Sequence, residues 1–314
     1  MSDVAIDICV GVGLFLLNLV YFLFYLVLLG ALRRLSKEHP TFLLFVSSSV
    51  ADVLFFLQYM VLGLAIASRH LIDIADYLPK LVQFCLIAIP VAAAAYHFSL
   101  LALNRFCAIF FYTRPVESIF TARVSIGCSA AVWALSILAR AYEMAFYTDE
   151  NFVYYEPSKY GFDVSNYTVF VESGYAAWRT IDNGLPILLL LLVYGAISLG
   201  LAFHKGVRAA QKGAVAKLQR RVLIVGASNA AIDVFCNALF MSGFATTKWR
   251  GLVANIVYVH NYSSNGILLV LFSSLVREEF VKQAKKLLRI EKLPTANQSS
   301  GRVRTIPSVP ARQR

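Results

Sequence analysis

Seven long apolar runs alternate with short polar and charged connections along the chain. They are Ile8 to Leu32, Phe42 to Ser68, Leu81 to Tyr112, Val124 to Phe146, Thr180 to Phe203, Val222 to Phe244 and Leu252 to Val276. A helix needs roughly 20 apolar residues to cross a hydrocarbon core about 30 Å thick, and every run is at least that long. Lipid offers the backbone no water, so the runs must be helices, and the ten-residue alternation of a membrane barrel is missing. The pattern predicts an all-α membrane protein, a seven-transmembrane helix bundle. Residues 1 to 7 carry Asp3 and Asp7 but none of the basic residues of a signal peptide, so the first run is expected to remain as a spanning helix.

After the seventh run, "REEFVKQAKKLLRI" puts Phe280, Ala284, Leu287 and Leu288 on one helical face and lysines on the other. That pattern predicts an amphipathic helix lying along the membrane surface. Residues 1–290 are thus expected to form one bundle and 291–314 a basic, disordered tail.

Composition and charge extend this reading. At 59% hydrophobic and 15% charged, the chain holds more apolar side chain than one soluble core can hide. Of its 29 Lys and Arg, 22 fall in the tail and in the connections after the first, third and fifth runs. The positive-inside rule then places the N-terminus outside, the tail inside and the protein across a membrane several times. The sequon at Asn166 falls in a long acidic loop on the outer side, so Asn166 is the expected glycosylation site. The net charge of +11 is explained by anionic lipid at the inner leaflet, and no folded basic surface exists for nucleic acid.

Polar residues inside the runs are the informative exceptions. Asp52 lies about halfway along the second run, where a carboxylate costs several kcal/mol unless it faces a hydrated or hydrogen-bonded interior. Asn18 in the first run, Ser263, Ser264 and Asn265 in the seventh, water and a sodium ion are its candidate partners. Both a structural hub and an ion-sensing role fit it. Arg105 closes the inner end of the third run beside Asn104, and both a snorkelling anchor and a functional switch fit that position. Pro186 should kink the fifth run, and Tyr194 lies about two turns farther in. Asn229, Asp233 and Asn237 share one face of the sixth. Interhelical glue is favoured for Asn229, and the role of Asp233 stays open. The outer loop from Tyr147 to Ala177 is rich in aromatic and acidic residues, fitting either a lid over the bundle mouth or a belt at headgroup level.

Catalytic signatures are missing. There is no H-E-x-x-H, G-x-S-x-G or phosphate-cradling glycine loop, and the five histidines lack metal-ligand spacing. No enzymatic activity, metal or cofactor is expected. The five cysteines lie in or beside the runs and read as free thiols.

Asn18, Asp52 in "VADVL", Asn104-Arg105-Phe106, Trp133, Pro186 with Tyr194, and Asn265 follow the order and depth of landmarks in rhodopsin-like G-protein-coupled receptors. More narrowly, "LNRFCAIFFYTRPVESIF" resembles the junction after the third helix of nematode serpentine chemoreceptors of the Srx and Srv kind. The resemblance implies a plasma-membrane receptor, with a sensory cilium as the family expectation. It also implies a small-molecule or peptide ligand and a heterotrimeric G protein as partners. Asn104, Arg105 and Tyr194 would form the G-protein switch, and Asn18, Asp52, Ser264 and Asn265 the interior polar or ion site. The ligand would contact some of Gln58, Tyr59, Gln83, Ile87, Arg179, Asp182, Asn183, Asn237 and Tyr258 in the outer half.

The chain departs from the superfamily pattern in several places. Asn104 replaces the acid before the arginine, Gly266 the proline of N-P-x-x-Y, and Leu269 its tyrosine. The sixth run has no C-W-x-P, and no cysteine pair staples the outer loop. A retinal pigment is not expected, since no lysine sits midway along the seventh run. The competing reading is a seven-span transporter or ligand-gated channel. The missing internal repeat argues against a transporter, and outward placement of the N-terminus separates the chain from insect-type odorant channels.

Overall fold

A computed structural model of the chain describes residues 3–71, 80–110, 119–143, 153–164, 174–203 and 247–288, with residues 172, 228, 231, 232 and 235 besides. Five long helices come first: α1 (Asp3–Leu35), α2 (Phe42–Ser68), α3 (Lys80–Phe110), α4 (Ala122–Glu143) and α5 (Tyr175–Phe203). The seventh run becomes α6 (Lys248–Phe272), followed by α7 (Ser274–Leu287). The sixth run lies outside the described residues apart from isolated positions. Among the described residues, four helices are long and apolar enough to cross a membrane: Asp3–Leu35, Phe42–Ser68, Cys85–Phe110 and Ala122–Tyr142. The apolar stretch Gly184–Gly200 of α5 is shorter.

Helix α1 shows how these helices use their faces. Val4, Ile8, Val12, Leu16, Val20 and Leu23 are exposed large apolar side chains, the surface a helix turns toward lipid. The opposite face buries Asp7, Gly11, Leu14, Asn18, Tyr25, Leu28 and Leu32. Small residues let this face approach α2. A Cβ on Gly11 would stand 2.6 Å from the Gly63 carbonyl oxygen, and one on Gly63 would stand 2.7 Å from the Phe15 nitrogen. Close backbone approach at glycine is how membrane helices gain packing where hydrophobic burial supplies none.

The described residues are helical as expected, with one short hairpin in the loop after α4, where Val153–Glu156 (β1) and Gly161–Val164 (β2) pair antiparallel, Val153 opposite Val164 and Glu156 opposite Gly161. One expectation needs correction. The seventh run does not continue to Val276. Its helix stops at Phe272, Ser273 turns extended, and the Ser273 hydroxyl accepts from the Val276 N–H to start α7. Helix α7 meets the bundle through Val276, Glu279 and Phe280. Phe280 packs on Phe24 at 5.0 Å between ring centroids and Arg34 pairs with Glu279 at 3.4 Å, whereas Leu287 and Leu288 are exposed.

Candidate functional site

The polar residues fall into three layers, beginning at the end of the bundle that carries the hairpin. Four residues, Pro157 to Tyr160, turn β1 into β2, and Tyr160 takes the left-handed conformation at φ 53°. Such a backbone costs a bulky residue about 1–2 kcal/mol, so the surroundings must hold it there. They do so from three helices. The Tyr160 hydroxyl donates to the Asp7 carboxylate of α1, and its carbonyl accepts from the Asn255 amide of α6. The other Asp7 oxygen lies 2.7 Å from both Arg69 Nη2 and His70 Nε2 at the end of α2. Lys248 Nζ stands 3.7 Å from Asp7 and 5.4 Å above the Tyr160 ring. Burial, then the adjoining Asp7 carboxylate, pushes the Tyr160 phenol well above its ordinary range, so it stays protonated and donating. Gly251 completes the seat, since a Cβ there would collide with the Lys159 carbonyl.

The second hairpin anchor is Tyr155, 1% exposed, whose hydroxyl reaches the Gln58 main-chain carbonyl of α2 at 3.4 Å. Around it the structure gathers four of the predicted ligand residues. Tyr59 is buried, its ring 4.7 Å from that of Phe55, and Tyr258 stacks on Tyr262 at 6.2 Å. Gln58, with its amide nitrogen toward α3, donates to the Leu86 and Ile87 carbonyls, the latter at 3.3 Å. Ile87 is buried. The side chains of Gln83, Arg179 and Asn183, and all of Asn237 and Asn166, lie outside the described residues. Beside the hairpin turn, Arg69, His70, Glu156, Pro157 and Ser158 line a solvent-open cleft.

Asp182 stands apart from that group. Its carboxylate pairs with Arg140 of α4 and accepts from the Tyr96 hydroxyl of α3 at 2.5 Å, all three side chains being buried. Nearer the other end of α2, Ser47 joins His97 Nε2 at 2.8 Å and the Trp133 indole N–H at 3.0 Å, tying α2, α3 and α4 together. Ser99 of α3 reaches the Pro186 carbonyl of α5 at 3.2 Å.

The mid-bundle group is less convergent than predicted. Asp52 is fully buried, and the polar side chain facing it is the Tyr25 phenol of α1, whose hydroxyl is bonded to α6. The Asn18 amide instead donates to Leu14 of its own helix at 2.8 Å, and Ser263 and Ser264 donate back to His260 and Asn261. Asn265 is buried nearby in the sequence of α6.

At the far end, Arg105 Nη1 donates to the Tyr194 hydroxyl at 2.8 Å, bridging α3 and α5. The guanidinium also lies 5.9 Å from the centroid of the Phe45 ring, and Arg105 is only 8% exposed. Asn104 is buried beside it, its Nδ2 unpartnered among the described residues. Gly200 lets α5 approach, since a Cβ there would meet the Phe110 ring.

Several participants were invisible to sequence reasoning. Asp7 reads only as a charge ahead of the first run, although an acid one residue before an apolar run is a usable signal, and nothing in the fourth run singles out Arg140. His97 was weighed only as a metal ligand. Tyr160 gave no sign, because its role comes from a turn geometry that brackets 153 residues of chain.

Comparison with known families settles what kind of protein carries these layers. Residues 15–197 match the family model described as serpentine type 7TM GPCR chemoreceptor Srx, more than half of the chain, and the chain belongs to that family. No protein of curated function matches it. It is therefore a multi-pass membrane protein of a chemosensory receptor family.

Proposed function

We propose that the chain is a seven-span plasma-membrane receptor with its N-terminus outside, binding a small extracellular ligand beneath the hairpin and activating a heterotrimeric G protein. Ligand would enter among Gln58, Tyr59, Ile87 and Tyr258, so Tyr155 and Tyr160 must move or share the site with it. The inner ends of the third, fifth and sixth spans would open to the G protein. Asn166 would carry glycan on the outer side. Asp52 and its neighbours would form an interior polar site able to take a proton or a small cation.

The observation that carries this reading is the Arg105–Tyr194 bond at 2.8 Å. An arginine serving only as a membrane anchor would extend to headgroups, whereas this one is turned inward and bonded to a neighbouring helix. Asn104 cannot ion-pair with Arg105 as the usual acid would, so the phenol is the partner that remains.

The test is ligand-independent activation in transfected cells, read by a panel of G-protein dissociation sensors at matched surface levels. A basal signal in one channel that changes in Arg105→Ala is expected. Silence in every channel, with ion current or solute uptake instead, would replace receptor with transport. Loss of gel mobility shift on deglycosylation in Asn166→Gln, but not in wild type, would confirm the orientation.

A further inference from the structure

Tyr25 of α1 is fully buried, and its hydroxyl meets α6 at one particular rung of the helix. It donates to the Tyr262 carbonyl at 2.8 Å and accepts from the Gly266 N–H at 2.9 Å, with the Ser263 carbonyl a more distant 3.4 Å. Tyr262 and Gly266 are four residues apart, so they are the acceptor and donor of a single i to i−4 helical hydrogen bond. One phenol thus engages both ends of that bond.

We propose that Tyr25 is a positioning residue that makes the Tyr262–Gly266 rung the hinge of α6. Opening a helical rung ordinarily strands an N–H and a C=O in lipid, which is why membrane helices bend where some other group satisfies them. Here the phenol does so from a neighbouring helix, and the rung can open without orphaned groups. Glycine is required for the approach: a Cβ at position 266 would stand 2.7 Å from Tyr25 Cζ and 2.8 Å from its hydroxyl. Proline at that position would lack the N–H that the hydroxyl accepts from. Gly266 and Tyr25 together therefore do by hydrogen bonding what a proline kink does by sterics. Below the hinge, α6 ends at Phe272, and α7 is docked to α1 through Phe280 and Glu279. Bending would move the segment between these fixed points.

The hinge itself stands without G-protein coupling; only its consequence for signalling rests on the proposed function. Hydrogen–deuterium exchange of the full chain in lipid nanodiscs reads it directly. In wild type, amides around Gly266 should exchange faster than the turns of α6 on either side. Tyr25→Phe keeps the ring and removes the substitute partner, so exchange there should slow about fivefold, the factor of one ordinary hydrogen bond. Uniform protection along α6 in wild type would overturn the hinge, whatever the variant does. Unchanged or faster exchange in Tyr25→Phe would also overturn it, leaving the phenol as simple glue between α1 and α6. A receptor silent toward G proteins but showing slowed exchange would cost the proposed function and keep the hinge.

Discussion

The phenol of Tyr160 donates to the carboxylate of Asp7 across 153 residues of chain, joining the hairpin to the first helix. Arg69, His70 and Lys248 gather on the same buried carboxylate. Replacing Asp7 by Asn removes the counter-charge of Arg69 and Lys248; both keep some contact with solvent, so the cost should be about 1–3 kcal/mol, that of a lost charge-assisted hydrogen bond. Asp7→Asn should melt at lower temperature in detergent, and the hairpin should become open to protease before the bundle unfolds.

Gly251 tests the hairpin seat without touching a charge. Gly251→Ala places a methyl against the Lys159 carbonyl. The hairpin must lift, because backbone on both sides of the contact cannot yield as a flexible side chain would. Tyr155 should then leave Gln58, and a fluorescent label on the hairpin turn should report greater mobility with the bundle still folded.

The Asp182–Arg140 pair makes a prediction of opposite sign for single and double changes. Asp182→Leu alone strands a buried guanidinium and should cost about 3–5 kcal/mol, visible as loss of surface expression. Adding Arg140→Met should recover most of that loss, since an apolar pair of similar volume is often as stable as a buried ion pair. Failure of the double variant to recover would show that Arg140 has a role besides holding Asp182.

Gly11→Leu should be among the most damaging single changes in α1. Even an alanine there overlaps the backbone of α2 near Ala67 and Gly63, and overpacking of this kind costs about 1–3 kcal/mol or more. Thermal stability in detergent is the measurement, with Gly13→Leu as the control, because no atom lies within 4 Å of a Cβ at Gly13.

How far the sequence alone reached depends on which physics governed each feature. The helices that could be compared begin and end within a few residues of the apolar runs, because hydrocarbon thickness and backbone hydrogen bonding act on each segment by itself. Arg105 and Tyr194 are brought together in the sequence only by the resemblance to rhodopsin-like receptors, and the structure places them in hydrogen-bond contact. The ion pair of Asp182 with Arg140 was not legible in the sequence. Its polarity marked it for the interior, but nothing in its own helix distinguishes a ligand contact from a partner for Arg140, which lies 42 residues earlier. The hairpin was hidden for another reason: its strands are four residues each, too short for alternation to register against so many aromatic residues. Ser273 likewise breaks a run that remains apolar on both sides, so hydropathy carries the seventh run past the point where capping ends the helix.

The account rests most heavily on Arg105 and Tyr194 acting as one unit. A double-mutant cycle on basal G-protein activation, comparing Arg105→Ala, Tyr194→Phe and the pair at matched surface expression, tests this directly. The account predicts that each single variant shifts the basal signal in the same direction and that the double variant shifts it no further than Arg105→Ala alone. Independent, additive shifts, or a Tyr194→Phe receptor indistinguishable from wild type, would contradict it.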